Sequence, residues 1–280
     1  MKPEFTPDEI IATCISRRLR DGDIVVQGLS TPLTLAGYIL AKCTHAPNLV
    51  LASAVGMAVT LDWKPLSLVR DEAMWLDRPL RRMNFPSICR EILPTLEPRE
   101  FLRPAQVDPR GHFNNVCIGD WHRPRLRLPG CGGIADITPI YRRVELYVPR
   151  HDARVFVPAV DFVSGVGHIP DRPRDWYLVS DLATFDLHEG QVRLVSLHPG
   201  VSLDDVRART GFPLRVANPP SETPPPTAEE LRLLREGIDP LGIRKLETVG
   251  GAARAQLLKE IIHREMQSQR RDSRPYTITQ

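Results

Sequence analysis

At Asp21-Gly22-Asp23-Ile24-Val25-Val26-Gln27-Gly28 the chain turns, runs through β-branched apolar residues without a polar interruption, and turns again. A strand with one wet face alternates apolar and polar residues. This run does not alternate, so residues 24–26 predict a strand covered on both sides. Upstream, Thr6-Pro7-Asp8-Glu9 combines a hydroxyl cap, a proline at the first helical position and a glutamate placed to close a capping box. A helix is expected there, with Ile11, Ile15 and Leu19 on its buried side. Downstream, Pro32 to Cys43 reads as a second helix, His45-Ala46-Pro47 breaks it, and Leu49-Val50-Leu51-Ala52 forms another covered strand. Helix, strand, helix, strand in this order implies an α/β fold with parallel strands, whose sites gather at the strands' carboxyl ends.

Further strands are expected at Val144 to Val148, Val155-Phe156-Val157, Trp176 to Val179 and Val192 to Val195. Residues 1–218 are read as one α/β domain. Pro219-Pro220-Ser221-Glu222-Thr223-Pro224-Pro225-Pro226 reads as a stiff connector that opens a segment, 219–245, completing that domain with a helix capped by Thr227. Residues 246–280 form an extension: a helix from about Gly251 to Gln269, with Leu257, Leu258, Ile261 and Ile262 along one side, and a polar tail.

Lysine plus arginine exceed aspartate plus glutamate by only 37 to 34, a balance that argues against nucleic acid or an anionic membrane as partner. No stretch reaches the ~18 apolar residues of a membrane span, and the amino terminus lacks the pattern of a secretory leader, so a cytoplasmic location is expected. Cys14, Cys43, Cys89, Cys117 and Cys131 are scattered and odd in number, which predicts reduced thiols rather than a disulfide framework. His112, His122, His168 and His198 show neither helical i, i+4 spacing nor an HxH pair, so no metal site is expected. Ser53 is not in a GxSxG elbow, and Gly165-Val166-Gly167 reads as a turn rather than a dinucleotide loop.

The most informative stretch runs from Gln106-Val107-Asp108-Pro109-Arg110-Gly111 through Asn115 and Ile118-Gly119-Asp120 to Gly130-Cys131-Gly132-Gly133. Glycines at 130, 132 and 133 permit a tight turn or a close backbone approach to a ligand, and free N–H groups there could receive an oxyanion. Spacing alone leaves both readings open.

Taken in order, Asp23 to Gly28, His45 to Asn48, Gln106 to Pro109 with Gly111 and Asn115, Ile118 to His122, and Gly130 to Gly133 resemble the β subunit of glutaconate CoA-transferase. The likeness continues through Val179 to Leu182, Thr210 to Phe212 and Ile238 to Pro240, covering roughly residues 5 to 240. The resemblance to class I CoA-transferases implies a three-layer α/β/α CoA-transferase-like fold with a mostly parallel sheet. It also implies a CoA-transferase-like α subunit as partner, in an αβ or α2β2 assembly with the active site between subunits. No bound cofactor is implied, because coenzyme A enters as part of an acyl-CoA substrate. Family members attack the thioester with a β-subunit glutamate just after the strand matching Leu49 to Ala52. Counted from His45-Ala46-Pro47, that position is Ala54, and no Asp or Glu occurs between Asp23 and Asp62.

Two groups of relatives have lost this glutamate, a steroid ring-opening CoA-ester hydrolase and a methylglutaconyl-CoA decarboxylase. Pro158 to Gly167 and Val195 to Val201 are similar to the first; Thr44 to Pro47, Val55-Gly56 and Val148-Pro149-Arg150 are similar to the second. The resemblance therefore implies hydrolytic C–C ring opening, with decarboxylation, true CoA transfer and a non-catalytic role as alternatives. Gly130, Cys131, Gly132 and Gly133 are expected at the oxyanion loop. Ser53, Ala54, Val55 and Gly56 are expected as the pocket floor, Gln106 and Asn115 as orienting groups, and the catalytic base in the α subunit.

Overall fold

A computed structural model describes residues 4–28, 31–53, 56–88, 91 and 93–272. The first helix, α1, spans Pro7–Arg18, and Thr6 N–H donates to Glu9 Oε2 at 2.9 Å, so the predicted capping box closes. Ile11, Ile15 and Leu19 are buried as expected. Strand β1 (Ile24–Gln27), helix α2 (Pro32–Thr44) and strand β2 (Val50–Ser53) follow, and β1 pairs parallel to β2 with Gln27 opposite Ser53. Strands β3 (Ala58–Thr60) and β4 (Arg81–Arg82) extend this sheet antiparallel.

Strand β5 (Phe101–Leu102) is followed by two hairpins, β6 (Gln106–Val107) with β7 (Phe113–Asn114), and β8 (Cys117–Ile118) with β9 (Leu126–Arg127). The larger sheet then takes β10 (Arg143–Val148), β11 (Asp175–Ser180), β12 (Ala183–His188), β13 (Gln191–Leu197) and β14 (Arg215–Glu222) in the order β14-β13-β12-β11-β10-β5. Arg99 stitches the two sheets together. Val26 N–H donates to Arg99 O and Arg99 N–H donates to Ile24 O, each at 2.8 Å. The centre of the molecule, from β2 through β11, is thus parallel, and antiparallel strands lie at both flanks.

One apolar core lies between α1, α2 and the sheet and includes Ile11, Leu33, Tyr38, Leu51 and Phe101. A second packs the β6–β7 hairpin, Phe156 and Val206 against β10 to β13. Burial of these side chains, at about 25 cal/mol per Å² of apolar surface, is what holds the short central strands in place.

Three expectations change. Val155-Phe156-Val157 is a single bridge to Val107 rather than a strand, because Val155 and Phe156 N–H groups turn back onto Asp152 O and Pro158 has no N–H to continue a ladder. The proline-rich stretch is not wholly a connector: β14 runs through Pro219 and Pro220 to Glu222, tolerated because β14 is an edge strand that needs only one ladder. The final helix, Gly251–Asp272, buries Ile261 and Glu265 and leaves Leu258, Ile262 and Met266 exposed, so the four apolar residues do not share one covered side. Glu265 holds this helix to the body by accepting from Leu68 N–H at 3.1 Å and from the Ser67 hydroxyl. Among the described residues no helix is long and apolar enough to cross a membrane.

Candidate functional site

A cleft of 1710 Å³ opens at the carboxyl ends of β1, β5 and β10. Crossing from one parallel strand to the next leaves such a gap, because the connections depart in different directions. Its wall contains the whole run Gly130, Cys131, Gly132 and Gly133 together with Gln106 and Asn115, residues that lie up to 27 positions apart. Six of the ten residues expected at the site therefore meet in one place.

The glycine loop leads into the short helix Ile134–Ile137. Gly130 (φ 109°) and Gly132 (φ 50°) adopt left-handed backbone, and no atom lies within 4 Å of where a Cβ would stand on either. Glycine is needed there for conformation, not for crowding. Gly130 N–H is occupied, donating to Asn115 O at 3.0 Å; the N–H groups of Cys131, Gly132 and Gly133 meet no acceptor among the described residues. Gln106 and Asn115 hold the wall together. Gln106 Nε2 donates to Asp161 Oδ2 at 2.9 Å and its Oε1 accepts from Asn114 Nδ2 at 2.7 Å, while Asn115 Oδ1 accepts from Ala105 N–H at 3.0 Å.

Ser53 and Gly56 are outside the wall. The Ser53 hydroxyl is buried and accepts from Gly56 N–H at 2.9 Å, and Gly56 lies so close to Trp75 that a Cβ would stand 2.5 Å from Trp75 Cγ. Ala54 and Val55 lie outside the described residues.

Two of the histidines singled out by sequence, His112 and His198, serve the fold. His198 is buried, with Nδ1 at 3.0 Å from Thr223 Oγ1 and Nε2 at 2.8 Å from Ser180 O, and burial pushes its pKa down to about 4. His112 Nδ1 accepts from Gly167 N–H at 3.0 Å. Gly165 and Gly167 are required by contact: a Cβ on Gly165 would meet the Phe113 ring at 2.1 Å, and one on Gly167 would meet Gly111 C at 2.2 Å.

Two carboxyl groups held above the usual carboxylate range and a set of arginines in the cleft were not anticipated. Asp181 follows β11 and accepts from His151 N–H at 2.6 Å, and burial raises its pKa to about 6. Glu100 stands between β1 and β10, and burial alone raises its pKa to about 7. Arg103, Arg125, Arg150, Arg154, Arg209 and Arg254 also line the cleft. Arg103 pairs with Glu247 and Arg154 with Asp152, whereas the other four make no salt bridge among the described residues. Arg254 belongs to the C-terminal helix, so the extension reaches the site. The arginines are scattered through the sequence, and only their convergence marks them.

No family model matches the chain. It is similar to the IpdB subunit of the cholesterol ring-cleaving hydrolase of Rhodococcus jostii, 30% identical over 237 residues that cover 81% of this chain and 89% of that protein. It is also similar to a 3-oxoadipate CoA-transferase subunit of Pseudomonas knackmussii, 29% identical over 82% of this chain and 92% of that one. Among solved structures, a chain of the decarboxylase AibA/AibB matches with a TM-score of 0.79 and 30% identity, covering 87% of this chain and 99% of the other.

Proposed function

From the premise that this chain belongs to the class I CoA-transferase family as a β subunit, we propose that it processes an acyl-CoA together with a CoA-transferase-like α subunit, in an αβ or α2β2 enzyme. The reaction is hydrolytic C–C ring opening of a CoA thioester without a glutamyl-CoA intermediate. The observation that carries the reading is the alanine at position 54 in a chain of this family: a methyl group cannot attack a thioester, and no acidic residue lies between Asp23 and Asp62 to replace it locally. The hydrolase relative, matched along 89% of its length, supports ring opening, and the missing glutamate sets this reading apart from transfer.

Within the cleft, the unengaged N–H groups of Cys131, Gly132 and Gly133 receive the developing oxyanion, worth several kcal/mol when preorganised. Gln106 and Asn115 set the shape of that loop, and Ala54 and Val55 lie in sequence beside Ser53 at the end of β2. Arg125, Arg150, Arg209 and Arg254 suit the phosphates of coenzyme A, which enters as part of the substrate rather than as a resident cofactor. Decarboxylation of a glutaconyl-CoA-type substrate is the second reading, favoured by the likeness to AibA/AibB at a TM-score of 0.79.

Incubating the co-purified enzyme with a ring-bearing acyl-CoA in H2¹⁸O tests both. Hydrolytic opening places one ¹⁸O in the new carboxyl group; release of CO2 without ¹⁸O in the thioester product indicates decarboxylation instead. A borohydride- or hydroxylamine-sensitive mark on this chain would sink both readings in favour of transfer.

A further inference from the structure

Among the described residues, Glu100 has the one carboxyl group lining the cleft that folding does not use. Its neighbours Arg99 and Phe101 turn toward the helical side, where Arg99 pairs with Glu145 and Asp23 and Phe101 packs beside Tyr38 and Tyr177. Glu100 itself lines the cleft, half-buried, with Ile88, Ile137 and Leu102 as apolar wall and the oxyanion loop in the same enclosure. Among the described residues it has no hydrogen-bond or ion-pair partner. Gly28, at the end of β1, makes room for it: a Cβ there would stand 2.8 Å from Glu100 Oε1. One strand spacing, about 4.8 Å, separates β1 from β2, the strand that Ala54 follows in sequence.

Asp181 is the competing group. Its carboxylate accepts His151 N–H, it sits beside Arg150 and Arg209, and it follows β11, two strands from β5. Those arginines face the phosphates in the reading above, which leaves Glu100 nearest the end of β1.

We propose that Glu100 is the proton-transfer residue of this cleft, acting on the carbon that carries the electron pair when the substrate's C–C bond breaks. The inference rests on the acyl-CoA reading above and replaces the expectation that the base comes from the α subunit. In ring opening, the carboxylate takes one proton from water as the water oxygen bonds to the ring carbonyl carbon. The C–C bond then breaks, its electron pair passes to the carbon next to the thioester, and Glu100 gives its proton to that carbon. The carbonyl has become a carboxylic acid and Glu100 is again a carboxylate. In decarboxylation, CO2 departs, the pair stays on carbon, and Glu100 as the acid fills it before solvent reprotonates the carboxylate.

Burial brings this carboxyl to about 7, where both forms are populated near neutral pH, as proton transfer in two directions requires. The titratable groups that feel its charge are the phenols of Tyr38 and Tyr141, both held above their ordinary range by burial and so neutral there, while Arg103 on the adjoining wall is tied to Glu247.

The test uses the co-purified αβ enzyme with glutaconyl-CoA in D2O, following deuterium entry at C4 by mass spectrometry and ester binding by calorimetry. Wild type exchanges C4 protons. Glu100→Gln, nearly isosteric, loses roughly 10²- to 10⁴-fold in exchange rate with binding within a few fold, and Glu100→Asp recovers part of the loss. The wild-type rate carries an inflection near neutral pH that the Gln variant lacks. An unchanged rate and pH profile in Glu100→Gln overturns the proposal, as does wild-type enzyme that binds the ester without exchange, in which case the acyl-CoA reading survives. Enzyme that binds no CoA ester overturns that reading first. A hydroxylamine-sensitive adduct on Glu100 overturns proton transfer in favour of a nucleophile.

Discussion

Arg99 and Glu100 are neighbours on the approach to β5, and the two sides of the sheet treat them in opposite ways. On the helical side every buried charge is answered. Arg99, 5% exposed, donates through Nε to Glu145 Oε2 at 3.0 Å and through Nη1 to Asp23 Oδ2 at 2.9 Å. Below it, Arg244 is 1% exposed and meets Asp8 at 2.7 Å, Asp239 at 2.9 Å and Glu9 at 3.0 Å, with Arg235 adding a further pair to Glu9. These pairs hold the Glu9 carboxyl down at about 2 despite its burial. On the cleft side Glu100 is left unanswered. A chain that pairs its acids this thoroughly where packing is tight, and leaves one acid unpaired where the wall is open, keeps that acid for something other than stability.

The comparison breaks first at Arg244. Arg244→Met removes the one cation shared by Asp8, Glu9 and Asp239 and leaves buried carboxylates uncompensated. Urea unfolding should show a loss of about 3–5 kcal/mol. A loss under about 1 kcal/mol would mean that the helical side does not depend on balanced charge, and the contrast with Glu100 would lose its force.

A smaller effect concerns the far end of the larger sheet, where polar groups are buried neutral instead of paired. His151 stacks on Phe156 with ring centres 3.7 Å apart and contacts Ser180 Oγ and Thr210 Oγ1 at 3.1 and 3.0 Å. Burial pushes it down to about 3, as it pushes His198 to about 4. The unfolded chain therefore binds protons from pH 6.5 downward that the folded chain refuses, and stability falls with falling pH. At pH 5 the expected loss is about 2 kcal/mol per histidine relative to pH 7.5, read as a lower melting temperature, and His151→Gln should remove part of that dependence.

Much of the frame was legible because local rules decided it. Thr6-Pro7-Asp8-Glu9 announces α1, and Ile24-Val25-Val26 and Leu49 to Ala52 announce covered strands, since capping and uninterrupted β-branched runs have few other uses. The glycine loop with Gln106 and Asn115 was recoverable as a set, although its convergence on one cleft was not. What escaped depended on long-range placement. Pro219 and Pro220 read as a connector because nothing local reveals that β14 is an edge. Glu100 escaped for a related reason. No carboxylate lies near Ala54 along the chain from Asp23 to Asp62, whereas the parallel sheet places beside β1 a segment more than 70 residues further on. The arginines of the cleft carry no motif, and Arg254 reaches it from a helix beyond the family resemblance.

The subtlest expected effect returns to Glu100 itself, now as a matter of stability. Its carboxyl is raised from 4.5 to about 7 by burial, so between these values the unfolded chain has released a proton that the folded chain still holds. Stability contributed by the neutral form is present below pH 4.5, declines as pH rises toward 7, and stays lost above it. Glu100→Gln cannot ionise and should be spared that decline, gaining on the order of 1 kcal/mol over wild type at pH 8 and nothing at pH 4.5. Melting temperatures of the two enzymes across this range check it. The same substitution thus makes the fold firmer and the proton transfer slower, a combination that a structural glutamate cannot produce, since replacing any of the paired acids on the helical side must weaken the fold. If Glu100→Gln instead lowers the melting temperature at every pH, Glu100 has a hidden partner and the two sides of the sheet are alike.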